Sequence, residues 1–463
     1  MSEEMKTLRK QLLRDSRSGY DVLEEAQLRQ MEDYCADYKA FLGNKTERLS
    51  ARAAIAAAEA HGFVEYRRGM VLEAGDKVYT CNRGKGLMLA VMGRESMAEG
   101  VQIAAAHIDS PRLDLKPNPL YEDSELAYFK THYYGGIRKY QWVTIPLQLQ
   151  GVVVKKDGTA VEVCIGEKGE PQLVITDLLP HLGGEQGKKP LSEAIPAETL
   201  NILLGSRPIG DKDDSDRVKL HVMKRLYDKY GITEADFASA ELEAVPAADA
   251  VDIGIDGSMI GSYGHDDRVC GYAALRALLE LDAPAKTAVC VLADKEEIGS
   301  MGVTGMQSAV FETFLSDLCD SQNVPLKVCF ENSFCLSADV TAAYDPNFAD
   351  VFDKKNAAFL NHGVGLCKYT GARGKSGSSD AGAETVAYVR SLLDGAGVRW
   401  QICELGKVDA GGGGTVAQYM ANRNIATLDA GVPVLSMHAP FEVVAKLDCY
   451  EMYRACKAIY EAR

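Results

Sequence analysis

AVCVLADKEEIGS, residues 288 to 300, opens as a short apolar run, Ala288 to Leu292, and ends in Asp294, Lys295, Glu296 and Glu297 before a Gly-Ser. An apolar run of this length, bounded by polar residues and Gly, reads as a strand buried on both faces. Two adjacent carboxylates at its exit then stand where open α/β sheets carry their chemistry. Like charges side by side are unfavourable unless a cation lies between them or one proton is shared. Glu296-Glu297 is therefore either a solvated loop or one wall of a metal site, and the rest of the chain decides between them.

A strand-helix rhythm surrounds this stretch. Downstream, the pattern predicts helices over 267–281, 306–318, 381–393 and 447–462, with strands within 327–338, over 398–405 and over 425–437. A GGGG run at 411–414 leads into a further helix through Met420. Alternation of this kind argues for an α/β layer with a largely parallel or mixed sheet. Upstream, residues 1 to about 60 read as helices, KVYTCNRGKGLMLAVM (77–92) as a hairpin with a Gly turn, and 101–106 as a buried strand running straight into His107. Residues 113–249 differ. They show alternating strand patterns, as in GVVVKKDGTAVEVC (151–164), and a long polar loop over 183–216. Alternation with polar partners suits an antiparallel sheet with one wet face. The expected organisation is a catalytic α/β domain made of 1–112 and 250–463, interrupted by a β-rich lid or oligomerisation domain at 113–249.

The chain has 463 residues, enough for a large core plus a second module. Its net charge of −15 argues against a nucleic-acid binder. No window approaches the ~18 consecutive apolar residues of a membrane span. The N-terminus, MSEEMKTLRKQLL, does not read as a secretory signal. The twelve Cys are scattered without a C-x-x-C pair, which reads as reduced core thiols in a cytoplasmic protein.

Four apolar strands are each followed by metal-type ligands. IAAAHIDSP gives His107 and Asp109, CVLADKEEIGS gives Glu296 and Glu297, FCLSADV gives Asp339, and PVLSMHAP gives His438. A fifth acidic site, GHDDRVCGYAAL, puts Asp266 and Asp267 just before a helix. Parallel strand exits converge on one sheet edge. His nitrogen with carboxylate oxygen, and no Cys, is the catalytic style of zinc site. Enough ligands are present for two ions if one carboxylate bridges them, with a spare carboxylate as general base. Asp109, two residues past His107, is able to reach back to the imidazole's other nitrogen.

In this order, AAHIDSPRLDLKP, YGHDDR, DKEEIGS, SADV and SMHAP resemble the aspartyl aminopeptidase / aminopeptidase I family of dinuclear zinc exopeptidases, over nearly the whole chain and including YYGGIRKYQW (133–142). The resemblance implies that Asp266 bridges two zinc ions, with His107 and Asp339 on one and Glu297 and His438 on the other. It implies Glu296 as catalytic base, Asp109 as the aspartate orienting His107, and a cis peptide between Asp266 and Asp267. It further implies substrate contacts by His181, in LLPHL, from a neighbouring subunit, and by Lys368, in GLCKYT, with acidic side chains. A surface His and a solvated Lys are the alternatives. The segment after Lys368, TGARGKSGSSD, is richer in Gly and Ser than in acid-preferring animal enzymes, and other family members prefer neutral residues such as Leu.

The expectation is thus an α/β, mixed mostly parallel sheet sandwiched by helices, carrying a cytoplasmic zinc aminopeptidase of bacterial type. It acts on peptides, with Co²⁺ or Mn²⁺ as substitute metals. The resemblance also implies a tetrahedral homo-dodecamer, without nucleic-acid or membrane partners. A two-zinc deacylase or carboxypeptidase on the same fold, and a non-catalytic self-assembling particle, are the competing readings.

Overall fold

The computed structural model describes residues 2–14 and 17–463. Ala288–Ala293 lies inside a nine-stranded mixed sheet, buried at every position. It pairs antiparallel with Gly86–Val91 and parallel with Gln102–His107. Phe334–Ala338 and then Ala426–Gly431 continue the parallel run beyond Gln102–His107. Side chains alternate between faces with a period of two, and both faces of the strand are apolar. Ala288, Cys290 and Leu292 join the core under helices Glu25–Phe41, Glu47–Ala60, His265–Leu279, Ala383–Gly395 and Lys446–Tyr460. Val289, Val291 and Ala293 join the core under Val310–Asp320, Leu326–Glu331 and Ala417–Ala421. This is the helix–sheet–helix sandwich expected from an uninterrupted apolar strand.

The hairpin forms as the Gly turn predicts, Lys77–Asn82 with Gly86–Val91. A six-stranded antiparallel sheet contains Arg112–Asp123, Leu126–Tyr134, Leu147–Val154, Ala160–Ile165, Ile202–Gly205 and Ala240–Pro246. Its own core holds Phe129, Trp142, Leu149 and Phe237, covered by helix Arg217–Tyr230 through Leu226. A five-stranded sheet joins Val251–Ile253, Met259–Ser262, Glu442–Ala445, Pro433–Leu435 and Thr341–Ala342.

Several expectations are corrected. The 183–216 stretch is not one long loop. It contains the short helix Leu191–Ala194 and the strand Ile202–Gly205, which adds to the edge of Leu126–Tyr134. The strand expected over 425–437 is two strands in two different sheets, broken after Gly431. A Cβ on Gly431 would stand 1.5 Å from the Asp339 carbonyl oxygen, so the break needs a residue without a side chain. Turns occupy 301–308, and the following helix starts at Val310. The glycine run pairs with Gly371–Ala372 through Gly412–Gly413 before a helix of only five residues, Ala417–Ala421. Among the described residues no helix is long and apolar enough to cross a membrane. All twelve cysteines are unpaired, and ten are buried.

Candidate metal centre

Three neighbouring parallel strands deliver ligand-type residues to one sheet edge. Gln102–His107 ends in His107, directly opposite Ala293. Beyond Ala293 the chain turns through Lys295 (φ 67°) into a tight turn at Glu296–Ile298. Asp339 follows the end of Phe334–Ala338. Asp266 and His438 arrive from another direction, carried by the five-stranded sheet. Asp266 comes just after Met259–Ser262 through a left-handed Gly264, in non-helical backbone at the start of His265–Leu279, and the Asp266–Asp267 peptide is cis. His438 sits in a turn after Pro433–Leu435. The expected convergence of four exits from one sheet is therefore three exits plus a contribution from a second sheet.

Two donor groups result, His107/Asp266/Asp339 and Asp266/Glu297/His438, sharing Asp266. His107 Nε2 lies 3.2 Å from Asp266 Oδ1 and 3.8 Å from Asp339 Oδ1. His438 Nε2 lies 3.1 Å from Asp266 Oδ2 and 3.5 Å from Glu297 Oε2. Glu296 belongs to neither group, its Oε2 3.9 Å from His107 Nε2.

The electrostatics favour a cation. Burial, reinforced by Asp266, pushes the Glu297 carboxyl well up, and burial with Asp267 does the same to Asp339. Burial opposes ionisation of Asp266 too, but its bonds to His107 and His438 outweigh it and hold the group low. Burial likewise disfavours the charged histidines, yet their carboxylate neighbours raise His107 strongly and His438 to about 10. Protons on imidazoles thus offset charge that a divalent ion is suited to offset. Glu297 Oε1 is buried without a hydrogen-bond partner, in a side chain only 4% exposed. An orphaned carboxylate oxygen at a cluster of nitrogen and oxygen donors fits a metal ligand. Burial also pushes Glu296 up to about 7, with Asp109 and Asp266 adding to the rise.

A second layer fixes the donors. Both Nδ1 atoms face carbonyl oxygens, His107 to Asp109 at 3.0 Å and His438 to Gly136 at 2.8 Å, so Nδ1 carries the proton and Nε2 is turned to the centre. Asp109 Oδ1 lies 3.3 Å from His107 Nδ1. The Asp109 carboxylate also accepts the backbone N–H groups of Glu296 and Glu297 and the Tyr134 hydroxyl. Glu442, not singled out from the sequence, is buried and accepts from the backbone N–H of Asp266 at 3.1 Å and of His438 at 2.7 Å. Its only sequence cue is its place four residues after His438, in a strand pattern that reads as half-exposed. His265 is a neighbour and not a donor to the centre. Its Nε2 bonds the Ile260 carbonyl and its Nδ1 the Tyr38 hydroxyl.

The centre opens into a cleft of about 560 Å³ whose walls include Cys367, Thr370, Leu405, Gly412, Tyr419 and Met437. No Lys or Arg is among its lining residues. Lys368 points away into a pair with Asp380 at 2.8 Å, and His181 is exposed on a turn outside the cleft of its own chain. A larger cavity, about 780 Å³, lies between helix Glu47–Ala60 and the six-stranded sheet and contains none of the donors.

A family model for the aminopeptidase I zinc metalloproteases (M18) matches residues 44–460. The chain is 48% identical over 450 residues to a probable M18 family aminopeptidase 1 of Clostridium acetobutylicum, covering 95% of this chain and 97% of that one. It superposes on the crystal structure of an M18-family aminopeptidase from Thermotoga maritima with a TM-score of 0.93 at 41% identity, covering 97% of this chain and 99% of that one. A structure described as the mApe1 dodecamer of S. cerevisiae shares the fold, with a TM-score of 0.76 at 21% identity over 93% of this chain and 99% of that one.

Proposed function

This chain belongs to the aminopeptidase I (M18) family of zinc metalloproteases, and from that membership we propose that it releases single N-terminal residues from peptides with the help of two zinc ions. The observation that carries the two-metal reading is the pair of donor groups sharing Asp266, with a fourth carboxylate, Glu296, beside both and part of neither. His107 and Asp339 would hold one ion and Glu297 and His438 the other, with Asp266 common to both donor groups. Zinc held there would supply Lewis-acid polarisation of the scissile carbonyl and a lowered pKa for water at the site.

The chain's own groups do the rest. Glu296 takes a proton from the attacking water at its carboxylate as the water oxygen joins the carbonyl carbon. The C–N bond then breaks, and the proton passes from Glu296 to the leaving amine nitrogen, giving a free amino acid and a peptide one residue shorter. Asp109 keeps the His107 proton on Nδ1. Glu296 is half-buried on the cleft wall, where its carboxylate is within reach of the substrate's water.

The cleft also speaks to the substrate. With no Lys or Arg among its lining residues, the cleft offers no cationic side chain to pair a C-terminal carboxylate. This favours an aminopeptidase over a carboxypeptidase. The same lining, with Leu405, Met437 and Cys367, and the engagement of Lys368 by Asp380, favour neutral N-terminal side chains over acidic ones. Residues 113–249 serve as the lid and oligomerisation domain. Leu178, Leu179 and Leu182 are exposed beside His181, which suits a subunit contact that brings His181 to a neighbour's cleft in a dodecamer. The unpaired cysteines support a cytoplasmic setting. A panel of free-amine and N-acylated peptides tests the activity, since cleavage confined to blocked substrates would point instead to a deacylase.

A further inference from the structure

The layer behind the donors is not supplied by the nine-stranded and five-stranded sheets alone. Strand Leu126–Tyr134 belongs to the six-stranded sheet, and its last residue and the two glycines after it reach both donor groups. The Tyr134 hydroxyl donates to Asp109 Oδ2 at 2.7 Å, behind His107. The Gly136 carbonyl accepts from His438 Nδ1 at 2.8 Å.

This segment is built to sit where it does. Tyr134 is only 7% exposed, and the Arg112 guanidinium stacks 3.9 Å from its ring centroid. Arg112 is itself anchored by Asp114 at 2.8 Å, Glu47 at 3.3 Å and Glu243 at 3.4 Å. The ring is thus held with its hydroxyl toward Asp109. Both glycines are in close approach. A Cβ on Gly135, whose φ is +76°, would lie 3.2 Å from Glu297 Oε2, and one on Gly136 would lie 3.2 Å from His438 Nδ1. Three consecutive residues thus touch the orienting aspartate of one donor group and the histidine and glutamate of the other.

Resting on the two-metal reading above, we infer that Tyr134 and the Gly136 carbonyl are positioning groups for the metal centre, so that full zinc affinity requires the six-stranded sheet to be seated against it. Partners behind metal-binding histidines fix the ring and the tautomer, and their loss typically weakens binding or activity by about 10–100-fold. Tyr134 acts on the ion held by His107 and Asp339, and Gly136 on the ion held by His438 and Glu297.

Zinc titration against a competing chelator tests this on the full-length protein, with melting of the zinc-free protein measured alongside. Tyr134→Phe keeps the ring and its Arg112 stack and removes only the hydroxyl. It is expected to weaken chiefly the ion at His107 and Asp339, by about tenfold or more and beyond what any fall in the melting temperature of the zinc-free protein accounts for. Gly136→Ala, which places a methyl group against His438, is expected to weaken the other ion. Wild-type affinity for both ions in both variants overturns the inference while leaving the two-metal reading intact. Weakening that merely tracks a lower melting temperature also overturns it. A wild-type protein that takes up no zinc fails the two-metal reading itself, and the inference with it.

Discussion

Replacing Glu296 with Gln separates a general base from a metal ligand. The substitution keeps shape and volume and removes only the ability to accept and return a proton. Glu296 lies outside both donor groups, and its contact with Asp109 is made by its backbone N–H at 3.2 Å, which Gln retains. Zinc content should therefore stay at the wild-type value, and KM should change little. What disappears is proton transfer, which contributes about 10²–10⁴-fold to such reactions. At about 1.36 kcal/mol per decade, that is roughly 3–5 kcal/mol of barrier. The assay is steady-state hydrolysis of a leucyl peptide, with metal per chain measured on the same sample. A kcat within tenfold of wild type at full zinc occupancy would refute the assignment of the base. Loss of zinc would refute it differently, by making Glu296 a ligand.

The donor groups also differ in what each variant should lose. Asp339→Ala should release one ion and Asp266→Ala both, and equal losses in a metal count would exclude a bridge at Asp266. On aminoacyl substrates, Leu and Met are expected to exceed Asp and Glu by at least about tenfold in kcat/KM, since one unpaired charge brought into a desolvated cleft is unfavourable by more than 1.4 kcal/mol. The reverse order would mean that Lys368 leaves Asp380 to meet the substrate. Behind the cleft wall, burial raises Asp429 from 3.8 to about 6 despite the Thr415 hydroxyl it accepts at 2.6 Å. Between those values the folded chain holds a proton that the unfolded chain has released, so this group's contribution falls as pH rises through the window. Asp429→Asn should therefore gain on wild type by about 2–3 kcal/mol from pH 3.5 to pH 7.5 in urea melts, and a pH-independent difference would show that the carboxyl is not shifted.

The parts of the fold that were legible are those in which burial leaves a mark on local pattern. Ala288–Ala293 is apolar on both faces because helices cover both, and a two-sided strand needs no partner's sequence to be recognised. The donors were legible because His and carboxylates directly after apolar strands are few in this chain. Ile202–Gly205 is not legible in the sequence because its strand character comes from the edge of Leu126–Tyr134 and not from its own four residues. Helix Arg217–Tyr230 does carry Val218, Val222 and Leu226 at four-residue spacing, but it lies inside a region dominated by strand patterns. His438 reads as the exit of a single long strand because Gly431 and Pro433 are the only breaking signals in TLDAGVPVL, and neither says that the chain passes into another sheet. Glu442 was out of reach for a different reason. A glutamate whose role is to accept two backbone N–H groups from Asp266 and His438 is defined by residues distant in the chain or on a turn, and its own neighbours say only that it is polar.

Anomalous diffraction at the zinc edge, from crystals of the purified protein, tests the two-metal reading most directly. Two peaks roughly 3.5–4 Å apart are predicted, bridged by Asp266, one held by His107 and Asp339 and the other by His438 and Glu297. A single peak, no peak, or an ion held by Glu296 in place of Glu297 would contradict it.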